Sequence, residues 1–220
     1  MMFRVQLLKG LLHPHDTFDQ LERAEAAKGL WPRVALLFGL SIIIALLSGF
    51  FGINTETVSK QLSITNGNLF EWQKALFAFG NGLSGVAISF LVLFVVPLFY
   101  WSLLEVDFLK LLIMQLFVFT IYLIENILLI LLGVLYGIDR SASPFGLGVA
   151  AQYIMDHQLA LRFFGSISIF QLWAIYLQYQ FLKRASDRKP SYIMLMIIGV
   201  SIILWVFGAL FSSIRIEQLF

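Results

Sequence analysis

The chain has 220 residues, 60% of them hydrophobic and only 13% charged. A soluble domain runs to about 45–50% apolar and about 25% charged residues, so a water-exposed globular fold is excluded for most of the length. A net charge of +2, with the basic residues confined to short segments, excludes a nucleic-acid surface, and the absence of cysteine excludes disulfide staples, thiolate metal ligands and thiol catalysis.

Residues 1–32 read as an amphipathic leader lying at a membrane interface. Phe3, Leu7, Leu8, Leu11 and Leu12 recur at near-helical spacing, while Arg4 and Lys9 reach outward. His13–Pro14–His15–Asp16 breaks this helix, and a second one from Thr17 to about Gly29 would place Phe18, Leu21 and Ala24 on one face. No small-residue cleavage site follows the short apolar stretch, so the first span is expected to act as its own insertion signal. Gly29 suits a helix end and Pro32 the first turn of the next helix.

Five apolar runs follow, at about 33–53, 75–101, 109–135, 162–182 and 191–213. At ~1.5 Å per residue each is long enough to cross a hydrocarbon core of ~30 Å. The polar segment between the first two carries a turn signal at Asn66–Gly67. In the second run Gly82, Gly85 and Ser89 form a helix-packing face of small residues with Asn81 beside it. Pro97 leaves the Leu93 carbonyl without its donor, which predicts a kink. The short link Ser102–Phe108 makes the second and third runs an antiparallel hairpin.

The third run holds Glu125, an ionisable residue far from both ends of an apolar helix. Gln115, Tyr122, Asn126 and Gly133 fall on one stripe, with Glu125 at its margin. Such a stripe should face other helices or a wet cavity rather than lipid. The following segment, rich in glycine and serine, predicts a short interfacial or re-entrant helix near 149–155, and Asp156–His157 reads as a turn or cap. In the fourth run Gln171 and Gln178 lie one heptad apart, as candidate partners for Glu125. Gln115, Tyr122, Glu125, Asn126, Gln171 and Gln178 together make a candidate intramembrane polar cluster.

Lys183, Arg184, Arg188 and Lys189 form the strongest basic loop. With a cytoplasmic N-terminus, the inner segments hold Arg4, Lys9, Arg23, Lys28, Arg33, Lys110 and this loop, ten basic residues against five outside: Lys60, Lys74, Arg140, Arg162 and Arg215. The expected architecture is therefore all-α: a polytopic membrane bundle of five transmembrane helices over 33–214, behind a short interfacial leader. Its N-terminus is cytoplasmic and its C-terminus outside.

In the order of these features the chain resembles the Yip domain family, the Ypt-interacting proteins and their bacterial relatives. The resemblance rests on Pro14 followed by Phe18, an apolar run after Trp31–Pro32, and the middle pair of spans with Pro97. It rests further on Leu159–Ala160–Leu161 through Phe170–Gln171–Leu172–Trp173, followed by a short basic loop and the last span. What it implies is a five-helix, N-in membrane domain without established enzymatic chemistry. Eukaryotic members are adaptors in vesicle traffic that bind Rab-type GTPases through a longer cytosolic arm. The leader of about thirty residues departs from that arm. In its compact size the chain resembles the bacterial branch, and what that resemblance implies is a bacterial inner-membrane location and, as for some members of the branch, an accessory place beside ABC-type exporters.

An intramembrane hydrolase would want paired acids, a Ser–Lys or Ser–His set, or a His-Glu-x-x-His helix. All three histidines, His13, His15 and His157, lie outside the apolar runs, and His13 and His15 beside Asp16 would hold a metal only weakly. No catalytic, metal or cofactor site is expected. The leading expectation is a non-enzymatic adaptor or accessory subunit that contacts lipid and another membrane protein or a second copy of itself, with no nucleic-acid partner. The alternative is a small transporter or channel-like protein with a polar path around Glu125, although no inverted repeat is visible.

Overall fold

A computed structural model describes residues 2–24, 26–50, 67–138, 142–154 and 157–213. The polar segment 51–66, with its expected turn at Asn66–Gly67, lies largely outside the described residues, as do Arg140, Asp156 and Arg215. The chain divides into two compact units, Met1–Gly137 and Ile138–Phe220.

In the first unit the leader is a small folded cap. β1 (Met2–Arg4) pairs in parallel with β2 (Ala26–Lys28), and α1 (Leu7–Leu12) and α2 (Pro14–Glu22) lie between them in sequence. Pro14 opens α2, where its missing N–H costs nothing, and Thr17 Oγ1 donates back to the His13 carbonyl at 2.9 Å. Phe18 and Leu21, one turn apart, are buried together with Val5, Leu11 and Ala24. α2 ends at Glu22 rather than near Gly29 because 26–28 are taken up by the strand. Gly29 then turns the chain with φ +78°, a conformation that a residue with a Cβ rarely adopts.

α3 (Leu30–Phe50) follows, and α4 (Gly67–Phe90) packs against it. α4 continues through one π-helical segment, Leu91–Val95, into α5 (Val96–Leu104). The π segment explains how the helix passes Pro97. The proline withholds a donor from the fully buried Leu93, and an i→i+5 turn, closed by Val96 N–H on the Leu91 carbonyl, inserts one extra residue just ahead of it. Glu105 ends α5 in the left-handed region at φ 55°. Two residues later the Asp107 carboxylate accepts from Leu109 N at 3.0 Å and caps α6 (Phe108–Tyr136).

α6 is about 43 Å long at ~1.5 Å per residue, and it is the helix around which the unit is built. Every residue from Leu111 to Ile121 is buried, which spans three full turns and leaves no face open. It packs against α1, α3, the π segment and α5. Beyond Asn126 the helix exposes Ile127, Leu131, Val134 and Leu135, an apolar surface suited to lipid.

The second unit corrects the expected count of spans. The apolar run 162–182 is not one helix. α7 (Gly148–Gln152) and α8 (Gln158–Gly165) precede a break at 166–168, and α9 (Ile169–Ala185) starts afresh. The break is built in. Leu147 N donates to the Ile167 carbonyl and Ile169 N to the Phe145 carbonyl, both at 2.9 Å, forming an antiparallel bridge between Gly146 and Ser168. Ser168 Oγ accepts from Gln171 N at 3.2 Å and caps α9. Phe145 and Phe170 close the junction edge to face at 5.5 Å.

α9 has 17 residues, about 25 Å, less than the hydrocarbon thickness. α10 (Pro190–Ser213) packs against α8 and α9, with Trp205 edge-on to Phe163 at 6.1 Å. Among the described residues four helices, not five, are long and apolar enough to cross a membrane: Leu30–Phe50, Ala78–Leu104, Phe108–Tyr136 and Pro190–Gly208.

Candidate functional site

Polar side chains inside the long helices are of two kinds. The first are hydroxyls that bind helix backbone. Ser89 Oγ donates to the Gly85 carbonyl at 2.6 Å and Ser41 Oγ reaches the same oxygen from α3 at 3.4 Å. Thr120 Oγ1 donates to the Leu116 carbonyl at 2.7 Å, and Ser201 Oγ to that of Ile197 at 2.9 Å. These bonds satisfy the hydroxyls within the bundle, where a polar atom left facing hydrocarbon would be costly.

Gly82, Gly85 and Ser89 face α3. A Cβ on Gly85 would stand 2.8 Å from the Ala45 Cβ and 3.3 Å from the Ser41 carbonyl oxygen, and one on Gly82 would stand 2.9 Å from Leu46 Cδ2. Gly49 of α3 answers from the other side, where a Cβ would stand 2.9 Å from the Ala78 backbone. The small residues thus set the closeness of α3 and α4.

The second kind is a cluster of larger groups around Glu125. The Glu125 side chain is 5% exposed, in mid-helix. Tyr122 stands one turn before it on the same helix, and α5, which carries Tyr100, packs against α6. Tyr100 is completely buried, one turn past Pro97. Glu125 and Tyr122 thus lie on α6 and Tyr100 on α5, two helices that pack against each other. Gln115, 1% exposed, lies further towards the N-terminus of α6, and Asn126 is half-buried beside Glu125.

Tyr100 has no signal in the sequence. It stands in an apolar run, Val96–Trp101, where a lone phenol reads as another aromatic, and only its placement against α6 reveals it. Gln171 and Gln178 belong to the second unit. Gln178 is buried on α9 and Gln171 is half-buried near the Ser168 cap, so the six polar residues are divided between the units while Tyr122 is Glu125's neighbour within its own.

Among the described residues no group of three or more His, Asp or Glu side chains stands together to hold a metal. His13, His15 and His157 are exposed. In the basic loop Lys183, Arg188 and Lys189 are exposed, Arg184 is half-buried, and Lys183 Nζ sits 5.8 Å from the centre of the Tyr179 ring. No family model, curated protein or solved structure matches the chain. The fold and its polar groups define a helical protein of multi-pass membrane character, without obvious catalytic or metal-binding groups among its described residues.

Proposed function

We propose that the chain is a non-enzymatic adaptor or accessory subunit of a membrane complex, an exporter being the first candidate complex. The observation that carries this reading is the use made of the intramembrane polar groups. Ser41, Ser89, Thr120 and Ser201 are bound to helix carbonyls, and the mid-helix carboxyl is buried with Tyr122 one turn before it. Three of these hydroxyls bond within their own helix and Ser41 reaches across to α4, so they settle helix backbone and present no nucleophile–base pair. The outer faces of the long helices are apolar, which suits association within the bilayer.

Membership of the Yip domain family and a bacterial inner-membrane location belong to the same proposal, supported by the order of Pro14, Phe18, Trp31–Pro32, Pro97 and Phe170–Trp173. The placement of residues 2–24 argues against their serving as a GTPase-recruiting arm, because Phe18 and Leu21 are buried and α1 packs on α6. The test is purification of the full chain in mild detergent after crosslinking in cells. A reproducible membrane-protein partner or a second copy is expected. A lone monomer under these conditions overturns the reading.

The second reading, a small transporter, is favoured by one observation: a carboxyl at the middle of a membrane helix. Proton- or cation-dependent flux in reconstituted vesicles supports it, and its absence for the native chain removes it.

Orientation follows from charge. If only the four long helices cross, the termini share a side. That side then holds Arg4, Lys9, Arg23, Lys28, Arg33, Lys110 and Arg215, seven basic residues against eight, and no bias remains. If the interrupted pair α8–α9 makes a further crossing, the ten-to-five bias returns with the N-terminus inside. Non-helical backbone at membrane depth is tolerated where its hydrogen bonds are made within protein, as they are at the Gly146–Ser168 bridge. We therefore place the N-terminus in the cytoplasm and count α8–α9 as a broken crossing.

A further inference from the structure

In the second unit a shallow groove of about 530 Å³ runs between α9 and α10, lined by Tyr179, Pro190, Ser191, Met194, Leu195 and Ile198. Its two ends differ in chemistry. At one end the Tyr179 ring lies beneath Lys183 Nζ and the Ser191 side chain follows directly on Lys189 and Pro190. Along the rest, Met194, Leu195 and Ile198 continue the wall for about 6 Å, so that the α10 side of the groove runs about 12 Å from Pro190 at ~1.5 Å per residue. Leu195 is 71% exposed and Ile198 and Ile202 are open on the same helix, so this wall is apolar and accessible from outside the chain.

The charge at the polar end is one-sided. Between residues 183 and 189 the chain places Lys183, Arg184, Arg188 and Lys189 against a single acid, Asp187. Lys183 and Lys189 are exposed. A basic rim above an apolar trough between two membrane helices matches a molecule with an anionic head and a hydrocarbon tail. A free anion would gain nothing from the trough, and a zwitterionic lipid would gain little from the rim.

We propose that this groove seats one anionic phospholipid, its phosphate between Lys183 and Lys189 and one acyl chain along Met194, Leu195 and Ile198. Tyr179 supports both parts: its ring floors the trough and holds the Lys183 ammonium in place through its π face. The site is independent of the adaptor reading, since it needs only that the second unit lie in a bilayer.

The test uses the full chain, delipidated in neutral detergent and offered phosphatidylglycerol or phosphatidylcholine, with bound lipid counted by native mass spectrometry. One phosphatidylglycerol is expected to be retained in preference to phosphatidylcholine. Lys183→Gln with Lys189→Gln is expected to lower that retention at least tenfold with the thermal unfolding unchanged. Leu195→Trp, which fills the trough and leaves the charge alone, should lower it comparably. Equal retention of the two lipids, or no effect of the lysine pair, overturns the proposal. Displacement of the lipid by millimolar inorganic phosphate, together with indifference to Leu195→Trp, would identify a bare anion site and overturn it too. A change of oligomeric state on Leu195→Trp would mark the groove as a protein interface, with the same consequence.

Discussion

Phe18 of the leader meets Phe117 of the central helix edge to face, with ring centroids 6.0 Å apart and planes at 73°. Phe117 is nine residues inside α6, so the leader reaches about 13 Å along that helix at ~1.5 Å per residue. Gly10 lies against the same ring, so closely that a Cβ there would run into it. Phe18→Ala should cost about 3–5 kcal/mol of stability, read as a fall in the unfolding temperature of the detergent-solubilised protein. Gly10→Val should release the cap without emptying its core, and limited proteolysis should then cut between residues 2 and 28 while the remainder stays resistant.

The α3–α4 contact makes a sharper comparison, because two glycines of one helix have opposite surroundings. Gly85→Leu forces a side chain against the Ala45 Cβ and the Ser41 carbonyl, and it should destabilise by about 1–3 kcal/mol or more. At Gly80 a Cβ would find nothing within 4 Å, so Gly80→Leu should be neutral or mildly stabilising. Thermal melts of the two variants side by side decide whether the small-residue stripe serves the chain's own packing.

Glu125→Gln keeps the shape of the side chain and removes its ability to ionise. In the adaptor reading it should leave both the unfolding temperature and partner capture near their native values. Tyr100→Phe removes one hydroxyl from a completely buried site and should cost about 1 kcal/mol, with folding retained. If native vesicles show flux and Glu125→Gln abolishes it, the transporter reading takes precedence.

At the break before α9, Ser168→Ala removes the cap on Gln171 N and should cost about 0.5–2 kcal/mol. The bridge to Gly146 is made by backbone and survives, so the loss should stay local. Hydrogen exchange should quicken in the first turn of α9 and nowhere along α10.

The absence of cysteine makes sidedness directly measurable with single introduced thiols. Lys28→Cys and Lys189→Cys should both resist an impermeant maleimide in intact cells and react once the membrane is opened. Labelling of Lys189→Cys alone in intact cells would place the basic loop outside and reduce the crossings to the four long helices.

The hydrophobic runs are legible because a bilayer imposes length and apolarity together, and the four long helices follow the first, second, third and last runs closely. The break at 166–168 is not, since Gly165–Ser166–Ile167–Ser168 is apolar enough to extend a run. The interruption comes from backbone bonds to Phe145 and Leu147, which composition does not record. The strand pair of the leader was hidden for a similar reason. Met2–Arg4 and Ala26–Lys28 are three residues each, too short to show a two-residue period. In the candidate site Glu125 announced itself by its cost in hydrocarbon, whereas Tyr100 depended on a contact between helices.

Lys110 Nζ donates to the Glu22 carbonyl at 2.6 Å, across 88 residues of chain. During synthesis at about 5–20 residues per second, the leader emerges roughly 4–18 seconds before the residues it will clasp. Through that interval Phe18, Leu21 and Leu11 have no central helix to cover them, while α3 and α4 are being delivered to the bilayer. The cap is made well before α6 and reaches its contacts on α6 only afterwards. Its closure on α6 thus follows the making of the α5–α6 hairpin, so a defect in that hairpin leaves the apolar residues of the leader open to chaperones and proteases.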